Sequence, residues 1–162
     1  MFVLGIDPGL SRTGYGVIES SGSAMRAVAA GVIRTDPDLA VGTRLFELHR
    51  DLGDLVAEYQ PEEAAIEAVF VNKNLQTATT VGRASGIAYL VLASAEIPVA
   101  EYSPTAVKMA VAGYGKADKD QVQKLVSMRL GLPEAPKPAD AADALAIAMC
   151  HLQSRKLKAV GR

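Results

Sequence analysis

Residues 4–18, LGIDPGLSRTGYGVI, decide how the fold reads. The apolar start MFVLGI (1–6) runs into one acid, Asp7, and Pro8 and Gly9 then turn the chain at once. An apolar run closed by Pro and Gly predicts a buried strand over 2–7. The turn PGLSRTG leads into YGVIES (15–20), whose partial alternation predicts a second strand. A third is expected within 24–35, AMRAVAAGVIRT, where β-branched residues recur at alternate positions. With connections this short the three strands form an antiparallel meander. Asp7, at the end of the first strand, has two readings. It opens a turn, as Asp before Pro does, or it grips a metal or a phosphate.

Beyond residue 40 the period changes. Val41, Leu45, Leu48, Leu52, Val56 and Tyr59 recur at three or four, which predicts an amphipathic helix over 41–60 that Pro61 ends. EEAAIEAVF (62–70) reads as a fourth strand, NLQTATTVGRASGIAYLVLASAE (74–96) as a long helix, and IPVAEY (97–102) as a fifth strand. Helices follow over about 104–112 and 120–131, the second with Gly131 as its C-cap. The Pro-rich LPEAPKP (132–138) leads into a last, alanine-rich helix within ADAADALAIAMCHLQ. The order β-β-β-α-β-α-β-α-α-α predicts an α/β fold with a partly parallel, five-stranded mixed sheet flanked by helices. No repeat or domain-sized linker interrupts it. Residues 1–162 therefore read as a single domain, with about 155–162 (RKLKAVGR) either a loose basic tail or more helix.

A hydrophobic content of 49% and a charged content of 22% exclude a disordered or fibrous chain. The longest apolar stretches, such as GIAYLVLASA, fall short of the ~20 residues that cross a bilayer. The start lacks the basic n-region of a signal peptide. The expectation is a cytoplasmic protein with no membrane partner. The single Cys150 excludes an internal disulfide and suits a reducing compartment. Net charge is −1, but its distribution is uneven: Lys108, Lys116, Lys119, Lys124 and Arg129 gather after the fifth strand. A near-neutral total is compatible with a nucleic-acid partner if acids line a site and bases cover one face.

Four carboxylates lie where a site can assemble: Asp7, Glu67 within AAIEAVF, and Asp140 and Asp143 within ADAADALAIA. The last two are three apart on a helix, so they share a face with Cβ atoms ~5–6 Å apart. Taken singly, each has an ordinary reading: turn opener, exposed sheet-face acid, N-cap, or first-turn acid favoured by the helix dipole. Taken together, converging carboxylates with no His or Cys beside them suit a hard cation such as Mg²⁺ or Mn²⁺, which relieves their repulsion. Two such ions, ~3.5–4 Å apart, serve phosphodiester cleavage. Of the two histidines, His49 reads as a surface residue of the first helix, and His151 is left open.

At these residues the chain resembles the RuvC family of Holliday-junction resolvases. LGIDPGLSRTGYGVI, AAIEAVFVNKN, VKMAVAGYGKADKDQVQ and ADAADALAIA follow in the family's order over nearly the full length. The resemblance implies an RNase H-like fold of the retroviral integrase superfamily and a homodimer with two active sites. It implies metal-dependent nicking of four-way DNA junctions in recombination and repair, leaving 5′-phosphate and 3′-hydroxyl ends. The implied cofactor is Mg²⁺, with Mn²⁺ able to substitute, at two ions per active site.

Carried over by position, Asp7, Glu67, Asp140 and Asp143 match the family's catalytic, metal-holding acids, and Asp7 is expected to bridge both ions. Some family members have a histidine where this chain has Asp143. Lys108 and Lys119 match active-site lysines that contact phosphates near the scissile bond, and Lys116 is grouped with them as a DNA contact. Phe70 matches an aromatic that stacks on a base near the junction centre, beside the polar, basic Asn72, Lys73 and Asn74. By the same resemblance the RuvAB branch-migration complex is a partner. Ala78, Gly82, Ser85 and Gly86 on helix 74–96 suit either a dimer contact or core packing.

Three rivals remain open at this point. A phosphotransferase of the actin or sugar-kinase type also uses a D-x-G strand-turn, but these 162 residues hold no second Gly-rich phosphate motif. The others are an RNase H-like nuclease that cuts ordinary duplex or RNA–DNA hybrid, and a junction-binding protein without catalysis.

Overall fold

The computed structural model describes residues 1–70 and 74–160. Its strands are β1 (Phe2–Asp7), β2 (Arg12–Ser21), β3 (Ala24–Arg34), β4 (Glu63–Glu67) and β5 (Val99–Tyr102). Its helices are α1 (Val41–Tyr59), α2 (Leu75–Ser94), α3 (Pro104–Ala112), α4 (Lys119–Arg129) and α5 (Ala139–Val160). The strands join one sheet in the order β3-β2-β1-β4-β5. β1, β2 and β3 run antiparallel, while β4 pairs parallel to β1 and β5 parallel to β4. This is the mixed sheet that the element order predicts.

Several boundaries differ from the sequence reading, and at the last helix the structure chooses between the two alternatives that reading left open. β2 begins at Arg12 because Asp7 pairs directly with Gly14, so the ladder closes almost to the turn. β4 stops at Glu67, which pairs with Tyr102, the last residue of β5; Phe70 lies beyond the strand. α5 continues to Val160, so residues 155–160 extend the last helix instead of hanging as a loose tail. Gly161 and Arg162 fall outside the described residues. Gly131 follows the α4 C-cap Leu130 at φ 65°, and Leu132 N–H donates to the Ser127 carbonyl at 2.8 Å. That left-handed residue and back-bond close the helix, and glycine adopts the conformation without strain.

Period-two alternation divides β1 between two cores. Leu4 and Ile6 pack with Val17, Ile66, Leu48, Leu52 and Leu92 under α1 and α2. Val3 points the other way, among Ile18, Ala65, Val107, Val126, Leu145 and Met149 under α3, α4 and α5. Gly5 shares that second face and has no side chain because α5 lies on it. A Cβ there would stand 2.0 Å from the Ala144 carbonyl oxygen. At Gly14 a Cβ would stand 2.1 Å from the carbonyl oxygen of Asp140. The glycines of the opening stretch, with the buried Ala141, Ala144 and Ala148, bring helix backbone onto sheet backbone. Asp7 lies two residues past Gly5 on the same face, so it emerges at the strand end directly under α5.

Candidate active site

The site forms where β1 and β4 end beneath the start of α5. Asp140 and Asp143 lie in the first turns of α5, three residues apart, and Gly14 lets that end descend toward Asp7. One carboxylate oxygen from each of Asp7, Asp140 and Asp143 lies within 4.8 Å of the others. Glu67, at the end of β4, is outside that group. It reaches the site through a cavity of about 230 Å³, whose wall includes Asp7, Glu67, Asp143, Lys108 and Lys119. Alternation along β4 accounts for its direction: Ala64 and Ile66 enter one core, while Ala65 and Glu67 face α5.

Two capped helices supply the lysines. Ser103 accepts from the Ala106 N–H at 3.1 Å and Pro104 occupies the first turn, which starts α3 and sets Lys108 on the cavity wall. Asp118 and Gln121 form a reciprocal capping box at α4, which fixes Lys119 as its first residue. Lys119 Nζ then lies 2.8 Å from Asp143 Oδ2. Lys116 is exposed in the turn between α3 and α4 and does not line the cavity. Asn72 and Lys73 fall outside the described residues.

The electrostatics are those of acids crowded together. Burial pushes Asp7 up to about 7, and Glu67, Asp143 and Asp140 push the same way against the ammonium of Lys119. Glu67 is raised first by burial and then by Asp143, with Lys119 and Lys108 opposing. Lys119 is raised because its ammonium is bonded to Asp143. An all-oxygen donor set with excess negative charge fits a hard divalent cation and does not fit a soft one.

Phe70 is 55% exposed, so it is not a core aromatic. It lines a second cavity of about 390 Å³ that also touches Glu67, Asn74, Ala78 and Val81, placing an unsupported ring beside a site acid. His151 does not join the site. Its Nε2 lies 2.6 Å from Glu63 Oε2 and its Nδ1 2.9 Å from the Tyr102 hydroxyl, about two helical turns beyond Asp143. His49 is exposed on α1, as the sequence suggests.

The sequence reading misses Arg12. Its guanidinium lies 2.6 Å from Asp140 Oδ2. The signal is faint: a single basic residue in the same turn as Asp7, whose partner is far along the chain.

A family model described as Crossover junction endodeoxyribonuclease RuvC matches residues 3–151. A Crossover junction endodeoxyribonuclease RuvC of Desulforamulus reducens is 53% identical over 153 residues, 94% of each chain. Another, of Chloroflexus aggregans, is 52% identical over 151 residues, 93% of this chain and 92% of that one. Among solved structures, T. thermophilus RuvC in complex with Holliday junction substrate superposes with a TM-score of 0.93 at 36% identity, covering 98% of this chain and 96% of that one.

Proposed function

The chain belongs to the RuvC family of crossover junction endodeoxyribonucleases, and from that premise we propose that it resolves four-way DNA junctions by paired, symmetrical nicks in recombination and repair. The observation that carries this reading is the meeting of Asp7, Asp140 and Asp143 within 4.8 Å, on a cavity lined by Lys108 and Lys119. Acids that close repel one another unless a cation joins them, and lysines beside them suit a phosphate.

Asp7, Asp140 and Asp143, with Glu67 from the cavity wall, are the residues that would hold Mg²⁺, or Mn²⁺ in its place, at two ions per site. Such ions supply Lewis acidity at the phosphate and a nucleophile at neutral pH. Asp7, at the strand end between the other acids, would be the residue common to both ions, as the family resemblance implies. Lys108 and Lys119 offset the charge that builds on the phosphate oxygens as the bond breaks. Lys116, by its charge beside these lysines, and Asn72 and Lys73, by the polar, basic sequence after Phe70, are proposed as further DNA contacts. Hydrolysis leaves 5′-phosphate and 3′-hydroxyl ends.

The deciding measurement is cleavage of a mobile four-way junction beside linear duplex of the same arms, with Mg²⁺, Mn²⁺ or EDTA. The junction should be nicked symmetrically with either ion and neither substrate should be cut in EDTA. Equal cutting of both substrates would sink the resolvase reading.

Phe70 is assigned to stacking on a base at the junction centre, in support of which its ring is exposed beside Glu67. Base–aromatic stacking is worth ~1–3 kcal/mol. Phe70→Ala should therefore slow cleavage about tenfold or more while changing junction binding less. Equal losses in gel-shift and cleavage assays would reduce Phe70 to an ordinary DNA contact.

Symmetrical nicks need two sites across a two-fold axis, so a C₂ homodimer suits the task. We assign α2 to its interface. Gly82 and Gly86 face open space, and Leu90 is exposed one turn further along the same side. Ser85 is buried and Ala78 half-buried, so of the small residues only the glycines offer a free face. Gly86→Arg should halve the mass seen by light scattering, and a wild-type chain that runs as a monomer at micromolar concentration would contradict the assignment. No helix among the described residues is long and apolar enough to cross a membrane. Cytoplasmic action and partnership with the RuvAB complex complete the proposal, the latter testable by co-migration of purified RuvAB with this chain on a junction.

A further inference from the structure

Arg12 has no role in the function described so far. Its guanidinium is 2.6 Å from Asp140 Oδ2, its side chain is 47% exposed, and it has no other acid partner among the described residues. Asp140 is one of the three acids whose oxygens cluster. Arg12 therefore pairs with an acid whose charge a cation would need.

The turn carrying Arg12 is braced from behind. Arg44 of α1 is only 8% exposed and forms no ion pair among the described residues. It donates from Nε to Thr35 Oγ1 at 3.0 Å and from NH2 to Ser11 Oγ at 2.6 Å. The Thr35 hydroxyl donates to the Leu10 carbonyl at 2.6 Å, and the Thr35 N–H to the Ser11 carbonyl at 3.2 Å. The backbone just ahead of Arg12 is thus tied down through Leu10 and Ser11, while the Arg12 side chain is half exposed. The buried guanidinium of Arg44 adds a positive charge behind the turn, with no carboxylate in ion-pair contact among the described residues.

We propose that Arg12 is a two-position residue of the cleavage site. It pairs with Asp140 while the acid cluster holds no cation, and it pairs with a phosphate of the bound DNA strand once Asp140 is taken. The inference rests on the metal-dependent nuclease reading above. A divalent ion shared by three carboxylates outcompetes one half-exposed guanidinium for a single carboxylate, because it brings twice the charge to more partners. The displaced guanidinium is half in solvent beside a polyanion, and its planar fork matches two phosphate oxygens as a lysine does not. A purely structural role, in which Arg12 orients Asp140 for the metal, predicts the opposite sign for cation affinity.

The test measures MnCl₂ binding by calorimetry to DNA-free wild type, R12Q and R12K, with melting curves to confirm folding. R12Q should bind Mn²⁺ about threefold to fivefold more tightly than wild type, since a half-exposed ion pair no longer competes, and R12K should stay near wild type. R12Q affinity that is unchanged or weaker overturns the proposal. A second arm measures four-way junction binding by anisotropy in Ca²⁺ and in EDTA. Wild type should gain affinity with Ca²⁺, and R12Q should lose about threefold or more of that gain. A gain as large in R12Q as in wild type overturns the phosphate position. Wild type that takes up no Mn²⁺ overturns instead the reading of the acid cluster on which the inference rests.

Discussion

An Asp7→Asn variant should bind a four-way junction as the wild type does and cut it at least a thousandfold more slowly. Asparagine matches aspartate in size, so β1 and the turn at Pro8 are kept. What is lost is the charge with which the end of β1 would share a cation with Asp140 and Asp143. A thousandfold is ~4 kcal/mol of barrier, within what an ion contributes as Lewis acid and source of nucleophile. Gel-based cleavage and binding on one labelled junction measure both halves, and a variant that still cuts removes Asp7 from the site.

The same substitution should stabilise the metal-free protein. The ordinary Asp value is 3.8, and in the folded chain it is about 7. Between those values the folded state holds a proton that the unfolded state has released. The contribution of Asp7 to stability therefore falls as pH rises from about 4, and its loss is complete above about 7. Asparagine carries no such penalty. In EDTA at pH 8 Asp7→Asn should melt roughly 5–10 °C above wild type, matching a few kcal/mol for a chain of this size. The gap should close near pH 4. Added Mg²⁺ should narrow it at pH 8, because binding raises the wild type alone. Equal melting temperatures in EDTA at pH 8 would contradict the charge crowding at the site.

Gly14→Ala, like Gly5→Ala, should rank with the most damaging single-methyl changes among the described residues. At position 14 the Cβ would stand 2.1 Å from the Asp140 carbonyl oxygen, and neither a Cβ nor a helix carbonyl can rotate out of the way. Sheet and helix must move apart by about 1 Å, at a cost of about 3 kcal/mol in a packed core. The helix end that moves carries Asp140 and Asp143. Mn²⁺ affinity and cleavage should fall even at temperatures where the variant stays folded. Gly53→Ala, in open space on α1, is the control and should be neutral or slightly stabilising. Urea unfolding with Mn²⁺ calorimetry at 10 °C reads both effects, and a Gly14→Ala variant as stable as wild type would mean that α5 does not lie so close.

The elements were legible because their signals are local. The apolar run of β1 closed by Pro8 and Gly9, the three-four spacing of Leu48 and Leu52 in α1, and the Pro-rich 132–138 ahead of α5 each depend on near neighbours. The boundaries that slipped were set from outside the segment. β4 ends where its partner β5 ends at Tyr102, and nothing in EEAAIEAVF marks that point. Position 44 fell off the apolar stripe of α1, yet Arg44 is buried because Ser11 and Thr35 offer it oxygen atoms.

The candidate site divides in the same way. Sequence alone determined that Asp140 and Asp143 share a helical face, that Asp7 closes a buried strand, and that the ordered motifs resemble one nuclease family. Those facts follow from backbone periodicity and motif order, which need no third dimension. Only the tertiary structure decided which acids meet. Gly5 and Gly14 let α5 down onto β1 and β2, which brings Asp140 and Asp143 to Asp7 and leaves Glu67 across a cavity. It also decided that Arg12 belongs with them and that His151 does not. Those outcomes depend on contacts between residues distant in the chain, where charge and packing act through space and leave no local trace.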